Sequence, residues 1–177
     1  KFFKREDLSL EVKTRLAIGK LTEENLKVGP GIIERAISLA TGASINEVRR
    51  LLIDYGEHGD VAFLLKKPKE AELTVDEVYN AIRMLPSLTK IRERDLMVSS
   101  LLQVSTPEES KYVVRLILGD LKLGYYQSTV VRAVAKAYNV PVELVESASA
   151  ILGLTEGLLL APEGQLKLAE VKLRAAQ

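Results

Sequence analysis

The stretch Arg15-Leu-Ala-Ile-Gly19-Lys-Leu21 returns later in the chain as Arg115-Leu-Ile-Leu-Gly119-Asp-Leu121. A Lys-x-Gly element follows each copy, first as Lys27-Val-Gly29 and then as Lys122-Leu-Gly124. Next comes an apolar segment that contains an Arg-Ala pair, Arg35-Ala36 in the first copy and Arg132-Ala133 in the second. The repeat predicts two related halves, about 8–65 and about 108–161, joined by a helical middle segment, 66–107.

Apolar residues recur at three- and four-residue steps along most of the chain, as in Ile91–Leu102, which is the period of an amphipathic helix. Thr74 with Glu77 and Thr106 with Glu109 have the spacing of capping boxes at helix starts. No stretch alternates convincingly at the period of a β-strand. We therefore predict an all-α fold of about ten or eleven helices, in two halves related by a pseudo-two-fold axis within one domain, 1–177.

Composition excludes several classes of protein. The 177 residues are 47% hydrophobic, which is typical of a folded chain and not of a disordered tail. The chain has no Cys and one His, so neither a disulfide framework nor a His-rich metal site is expected. No apolar run approaches the length of a membrane span, and a signal peptide is unsupported. The missing initiator Met suggests a fragment or a processed start, and we expect the natural chain to continue past Gln177.

The first Lys-x-Gly element continues as Lys27-Val-Gly29-Pro30-Gly31 before a predicted helix. Glycines at a helix start let a ligand approach the backbone, and the free amides of the first turn attract an anion such as a phosphate. A plain tight turn between helices is the alternative. That alternative weakens because the second element also precedes a helix, where the chain offers Gln127, Ser128 and Thr129. Two matching turns suit a target with approximate two-fold symmetry, such as the backbone of duplex nucleic acid.

Other residues leave their roles open or indicate a structural one. Arg15 and Arg115 lie inside helical patterns, where each side chain could reach a phosphate or pair with a carboxylate. Adjacent Tyr125 and Tyr126 suggest one buried and one exposed ring, and His58 is predicted to be a loop residue. The chain has neither a phosphate-binding P-loop nor a nucleophile elbow, and we predict no catalytic residue and no metal site.

The segment from Lys111 to Gly124, followed by Ser128-Thr129-Val-Val-Arg-Ala133, resembles the DNA-binding domain of ATP-dependent DNA ligases of the archaeal and eukaryotic type. Leu26–Gly31, Ala40-Thr-Gly42 and Gly56–Val61 resemble the first half of that domain. The resemblance implies an all-helical domain that grips nicked double-stranded DNA across the minor groove. It also implies phosphate-backbone contacts at Lys27, Gly29, Pro30, Gly31, Gly119, Lys122, Gly124, Gln127, Ser128 and Thr129. Asp120 and Tyr125-Tyr126-Gln127 depart from the pattern of this family.

The resemblance further implies a role in DNA replication, repair and recombination. The Lys-x-Asp-Gly motif, whose Lys accepts AMP in this family, is absent here, so ATP and Mg²⁺ are expected for the full-length ligase and not for this chain. A sliding clamp is a further candidate partner, and we expect a monomer without membrane contact. The expected location is the cytoplasm of an archaeon, or the nucleus if the source is eukaryotic. An all-helical protein–protein interaction module is the competing hypothesis, and the net charge of only +1 favours it.

Overall fold

The computed structural model describes residues 1–121 and 126–177. These residues form eleven α-helices and no β-strand, which confirms the all-α prediction of ten or eleven helices. The helices are α1 (Leu10–Ile18), α2 (Pro30–Thr41), α3 (Ile45–Tyr55), α4 (His58–Leu65), α5 (Val75–Met84), α6 (Ile91–Val104), α7 (Pro107–Leu118), α8 (Gln127–Tyr138), α9 (Val142–Leu152), α10 (Leu154–Leu159) and α11 (Gln165–Ala175).

Local signals explain where several helices begin. At the start of α5, the Thr74 hydroxyl accepts from the Glu77 amide, and the Glu77 carboxylate accepts from the Thr74 amide. Thr106 and Glu109 make the same reciprocal pair at the start of α7. Each pair satisfies amides that the helix itself leaves free. His58, predicted to lie in a loop, is instead the first residue of α4.

The two copies of the repeat end their first helices in the same way. Gly19 closes α1 at φ 78°, and Gly119 closes α7 at φ 75°. This left-handed conformation is accessible to glycine without steric cost. Their amides donate to the carbonyls of Arg15 and Leu16 in the first copy, and of Arg115 and Leu116 in the second. The Arg-Leu-x-x-Gly pattern is therefore a helix C-terminus in both copies.

The following helices also correspond. Helices α2 and α8 both contain 12 residues, and α3 and α9 both contain 11. Each of the first pair ends at a left-handed residue, Gly42 after α2 and Asn139 after α8. The repeat in the sequence thus coincides with a repeat of helix lengths and helix ends.

The chain folds into two compact units. The first, here called the central unit, comprises residues 20–121 and contains α2 to α7. Its main packing interactions join α2 to α6 and α4 to α7. The fully buried apolar side chains include Ile33, Ile37, Ile82, Leu102 and Val114, and their removal from water stabilises this unit.

The second unit, here called the terminal unit, comprises residues 1–19 together with the described residues from 126 to 177. Its core is a cluster of Phe3, Val130, Val131, Val134, Ala135, Val145, Ala148, Leu158, Ala161 and Leu168. Leu10, Ala17 and Ile18 of α1 pack against this core.

The compact units and the repeat copies have different memberships. The terminal unit contains α8, α9 and α10 of the second copy but α1 of the first copy. The central unit contains α2, α3 and α4 of the first copy but α7 of the second. The first helix of each repeat copy therefore lies in the compact unit that holds the remaining helices of the other copy. The pseudo-two-fold relation and the assignment of 1–177 to one DNA-binding domain stay predictions.

Candidate nucleic-acid interface

The first predicted turn leads directly into the N-terminus of α2. Gly29 is the N-cap residue in an extended conformation, and Pro30 is the first helical residue. No side chain caps this helix, and among the described residues none accepts from the Gly31 amide. Because Pro30 has no N–H, the Gly31 amide is the first helical donor at a helix end that favours negative charge.

Neither Gly29 nor Gly31 is required by the backbone conformation. Gly29 has a φ of −101°, and a Cβ atom built on it would meet nothing within 4 Å. A Cβ on Gly31 would lie 3.6 Å from Nη1 of Arg35, an ordinary van der Waals distance. The central unit could accommodate a Cβ atom at both positions. Glycine instead leaves room for a ligand to reach the backbone closely.

Lys27 has a structural partner that the sequence did not predict. Its Nζ donates to the Pro86 carbonyl at 3.2 Å, which ties this turn to the segment after α5. The residue adopts a left-handed φ of 55°, and its amide donates to Oδ1 of Asn25 at 2.7 Å. An ammonium group has three protons, so the contact with Pro86 leaves two for an anion.

The second predicted turn lies partly within the described structure. Gly119 is exposed, and its place at the C-terminus of α7 gives it a conformational reason to be glycine. Gln127, Ser128 and Thr129 form the first turn of α8 and are all exposed. Like α2, this helix lacks a side-chain cap, and its N-cap residue Tyr126 is 79% exposed. Lys122, Gly124 and Tyr125 lie outside the described residues.

The predicted contact residues are distributed between the two compact units. Lys27, Gly29, Pro30, Gly31 and Gly119 belong to the central unit. Gln127, Ser128 and Thr129 belong to the terminal unit. Their roles in DNA binding stay predictions.

Arg115, whose role the sequence left open, forms ion pairs within the central unit. Its Nη2 lies 3.0 Å from Oε2 of Glu57 and 3.6 Å from Oδ1 of Asp60. Only 12% of its side chain is exposed. The hydrogen bond with Glu57 raises the pKa of Arg115 above its ordinary value, so the guanidinium stays charged. These contacts favour the structural alternative, in which Arg115 joins α7 to the start of α4.

Arg15 shows the same preference in the terminal unit. Its Nε lies 3.0 Å from Oε1 of Glu11, one turn earlier in α1, and 10% of its side chain is exposed. A nearly buried guanidinium that is paired with a carboxylate is poorly placed to bind a phosphate from solvent.

Arg35 is a candidate phosphate ligand that the sequence analysis did not single out. It lies on α2, one turn beyond Gly31, and 43% of its side chain is exposed. Its Nε lies 2.9 Å from Oδ2 of Asp95, and this hydrogen bond raises the pKa of the guanidinium. The available signal was the repeated Arg-Ala pair, because Arg132 occupies the corresponding place in α8.

The described residues contain no group of three or more His, Cys, Asp or Glu side chains that could hold a metal ion. Within the same part of the chain, no helix combines the length and the apolar character needed to cross a bilayer.

Comparison with known proteins gives archaeal DNA ligases among the similar chains. The chain is 34% identical over 170 residues to the DNA ligase of Nanoarchaeum equitans, which covers 88% of this chain and 29% of that protein. It is 32% identical over 158 residues to the DNA ligase of Thermococcus onnurineus, covering 82% and 28%. It is 36% identical over 110 residues to DNA ligase 1 of Methanosarcina acetivorans, covering 60% and 19%.

The chain therefore spans less than a third of the length of these curated relatives. The family described as "DNA ligase N terminus" matches residues 1–135, which include α1 to α7 and most of α8. This match agrees with the resemblance carried by the two Lys-x-Gly elements. With 135 of its 177 residues matched, the chain belongs to the DNA ligase N terminus family.

Proposed function

We propose that this chain is the DNA-binding part of an ATP-dependent DNA ligase and that it holds nicked double-stranded DNA by the phosphate backbone. The family and the names of the archaeal relatives support a ligase role. The Lys-x-Asp-Gly motif is absent, so this chain supplies DNA binding, while ATP and Mg²⁺ act in another part of the full-length enzyme. DNA replication, repair and recombination are the proposed settings.

The observation that carries the DNA contact is the open N-terminus of α2. Gly29 and Gly31 have no conformational need to be glycine, and the Gly31 amide has no acceptor among the described residues. A phosphate oxygen can approach such a helix end closely, because no Cβ atom stands in its way. The exposed, uncapped first turn of α8 is the corresponding feature of the second copy.

The proposed contacts explain how a chain with a net charge of +1 can bind a polyanion. Backbone amides and helix dipoles attract phosphates without adding formal charge. Few cations are then required, provided that they lie beside the helix ends. Such contacts position a duplex without selecting a base sequence.

The location and assembly of the protein are part of the same proposal. The archaeal relatives favour the cytoplasm of an archaeal cell over a eukaryotic nucleus. The expected monomer and the expected sliding-clamp partner stay predictions.

Fluorescence anisotropy with labelled nicked, intact and single-stranded oligonucleotides tests the proposed function. We expect duplex to bind more tightly than single strands, and log Kd to rise linearly with log salt concentration. Each neutralised phosphate contributes about 0.9 to the slope of log Kd against log salt concentration. Absence of binding to every oligonucleotide at low salt would refute the proposal and favour the protein-interaction module.

Variants of the first turn then test the site. Gly31→Ala should keep the fold and weaken duplex binding, because the new methyl group occupies the space left for the phosphate.

The charge of Lys27 is tested by Lys27→Gln, which keeps an N–H donor for the Pro86 carbonyl. This variant should reduce the slope of log Kd against log salt concentration by about 0.9, the contribution of one phosphate. Lys20→Gln is the matched control, because this exposed lysine pairs with Glu23 in the same unit. Equal binding by Lys27→Gln and Lys20→Gln would exclude Lys27 from the site.

A further inference from the structure

Arg35 and Arg132 occupy corresponding positions in the two copies of the repeat. Each is the sixth residue of its helix, Arg35 in α2 and Arg132 in α8, and each is followed by alanine. Both helices begin without a side-chain cap at the turn proposed to bind phosphate. A residue one turn beyond the helix start extends back toward the N-terminus, because helical side chains tilt in that direction.

The guanidinium of Arg35 is held in one orientation by a buried carboxylate. Asp95 on α6 is 5% exposed, and its Oδ2 accepts from Nε of Arg35 at 2.9 Å. This contact leaves Nη1 and Nη2 without a hydrogen-bond acceptor among the described residues. Nη1 lies 3.6 Å from the position that a Cβ on Gly31 would occupy. The fork of the guanidinium is therefore fixed beside the glycine whose amide is also free.

Arg132 shares one face of α8 with other polar and cationic side chains. The residue is exposed, and no residue of α8 is acidic. Exposed Ser128 and Lys136 lie four residues before and after it, so the three side chains form a row on one face of the helix. The described residues include no carboxylate that forms an ion pair with Arg132.

We propose that Arg35 and Arg132 are corresponding phosphate-binding residues for duplex DNA, and that Asp95 is the positioning residue that orients Arg35. This proposal rests on the proposed function and adds to it the side chains that bind the backbone. A guanidinium can donate two parallel hydrogen bonds to one phosphate, which a lysine ammonium cannot do with the same geometry. Fixing the fork in advance reduces the rotamer entropy lost on binding.

The competing explanation is that Arg35 and Asp95 form an ordinary ion pair between α2 and α6. The two explanations predict opposite changes in DNA affinity when Asp95 is replaced. If Asp95 acts only through its charge, its removal increases the positive potential and tightens DNA binding. If Asp95 positions Arg35, its removal weakens DNA binding although a negative charge has been lost.

The first test compares Asp95→Ala and Asp95→Asn for binding of an intact duplex by anisotropy. Both variants remove the same charge, but asparagine keeps an oxygen that can accept from Nε of Arg35. We expect the Kd to increase in the order parent, Asp95→Asn, Asp95→Ala. Equal or tighter binding by both variants would overturn the positioning role. Far-ultraviolet circular dichroism checks that each variant is folded.

The second test uses the arginines and does not depend on the stability of the Asp95 variants. Arg35→Ala and Arg132→Ala should each weaken duplex binding about tenfold, the loss expected for one charge-assisted contact. Arg35→Lys keeps the charge but loses the fork, so its affinity should lie between those of the parent and Arg35→Ala. Arg50→Ala is the control, because Arg50 is an exposed arginine of the central unit on α3.

The outcomes separate this proposal from the proposed function. If the parent chain binds no duplex, the proposed function fails first. If the parent binds duplex but Arg35→Ala and Arg132→Ala bind as tightly as Arg50→Ala, only the present inference fails.

Discussion

At the scale of single residues, the physical reason for having glycine differs from one position to another. Gly59 lies in the first turn of α4 where that helix packs on α7, and a Cβ there would be 2.9 Å from the Lys111 carbonyl oxygen and 3.1 Å from Cγ of Arg115. Gly31 lies within α2, has room for a Cβ and does not have a positive φ. Packing therefore requires glycine at position 59 but not at position 31.

We therefore predict that Gly59→Ala destabilises the protein by about 1–3 kcal/mol, because the backbone of α7 would have to move. Gly31→Ala, the matched control, should not destabilise the protein and should raise the free energy of unfolding by up to about 1 kcal/mol, because alanine is the better helix former. Urea denaturation followed by circular dichroism measures both. Equal effects of the two substitutions would contradict the assignment of a packing role to Gly59.

At the scale of elements, Glu57 joins α4 and α7 by two kinds of contact. Its carboxylate accepts from the amides of Gly59 and Asp60 and so caps α4. The same carboxylate pairs with Arg115, whose side chain is nearly buried. Asp60 adds a second link, since the Lys111 Nζ lies 2.6 Å from its Oδ1.

Substitution of Glu57 should be costly because it leaves a nearly buried cation without its main partner. We predict that Glu57→Ala reduces the free energy of unfolding by about 3 kcal/mol, since Asp60 compensates only in part. Glu72→Ala is the comparison, because Glu72 forms an exposed pair with Lys69. An exposed pair contributes less than about 1 kcal/mol. Similar losses of unfolding free energy in both variants would show that the buried pair contributes no more to stability than the exposed pair.

Low pH should weaken these contacts between α4 and α7. The hydrogen bond from Lys111 is the main cause that lowers the pKa of Asp60 below its ordinary value. The carboxylate therefore stabilises the folded state above the ordinary Asp pKa of about 4, and this contribution is lost as the pH falls through the lower folded-state pKa. Asp60→Asn should be less stable than the parent at pH 7, and the difference should shrink below about pH 4. A difference that is constant with pH would contradict this linkage.

At the scale of the whole molecule, the terminal unit depends on residues from both ends of the sequence. Phe3 belongs to its core, together with side chains of α8 to α11. Lys13 of α1 is buried, and its Nζ donates to the carbonyls of Phe3 and Arg5 at 2.8 Å and 2.6 Å. The first 19 residues are thus part of a core and not an appended tail.

Deletion of residues 1–19 should accordingly affect the two units differently. We expect peptides from 126–177 to lose most of their protection in hydrogen exchange, because the core loses Phe3 and its contacts with α1. Peptides from 20–121 should keep most of theirs. Unchanged protection in 126–177 would show that the terminal unit folds without the N-terminal segment.

Much of the fold was accessible from the sequence because its signals are local. A capping box such as Thr106 with Glu109 spans one helical turn, and a C-terminal glycine such as Gly119 acts on carbonyls of the preceding turn. The period of apolar residues predicted the class of fold for the same reason. The resemblance of several spaced segments to DNA ligases indicated the family, which the match over residues 1–135 confirms.

The pairing of distant residues required the tertiary structure. Arg35 meets Asp95, and Arg115 meets Glu57, across about 60 positions of sequence. The grouping of α1 with α8 to α10, and of α7 with α2 to α4, is a choice of the same kind. The sequence by itself determined the class of fold, several helix ends and the repeat, and its resemblance indicated the family. Tertiary packing alone decided which helices share a core and which carboxylate each buried or half-buried arginine meets, because these depend on contacts that no local pattern encodes.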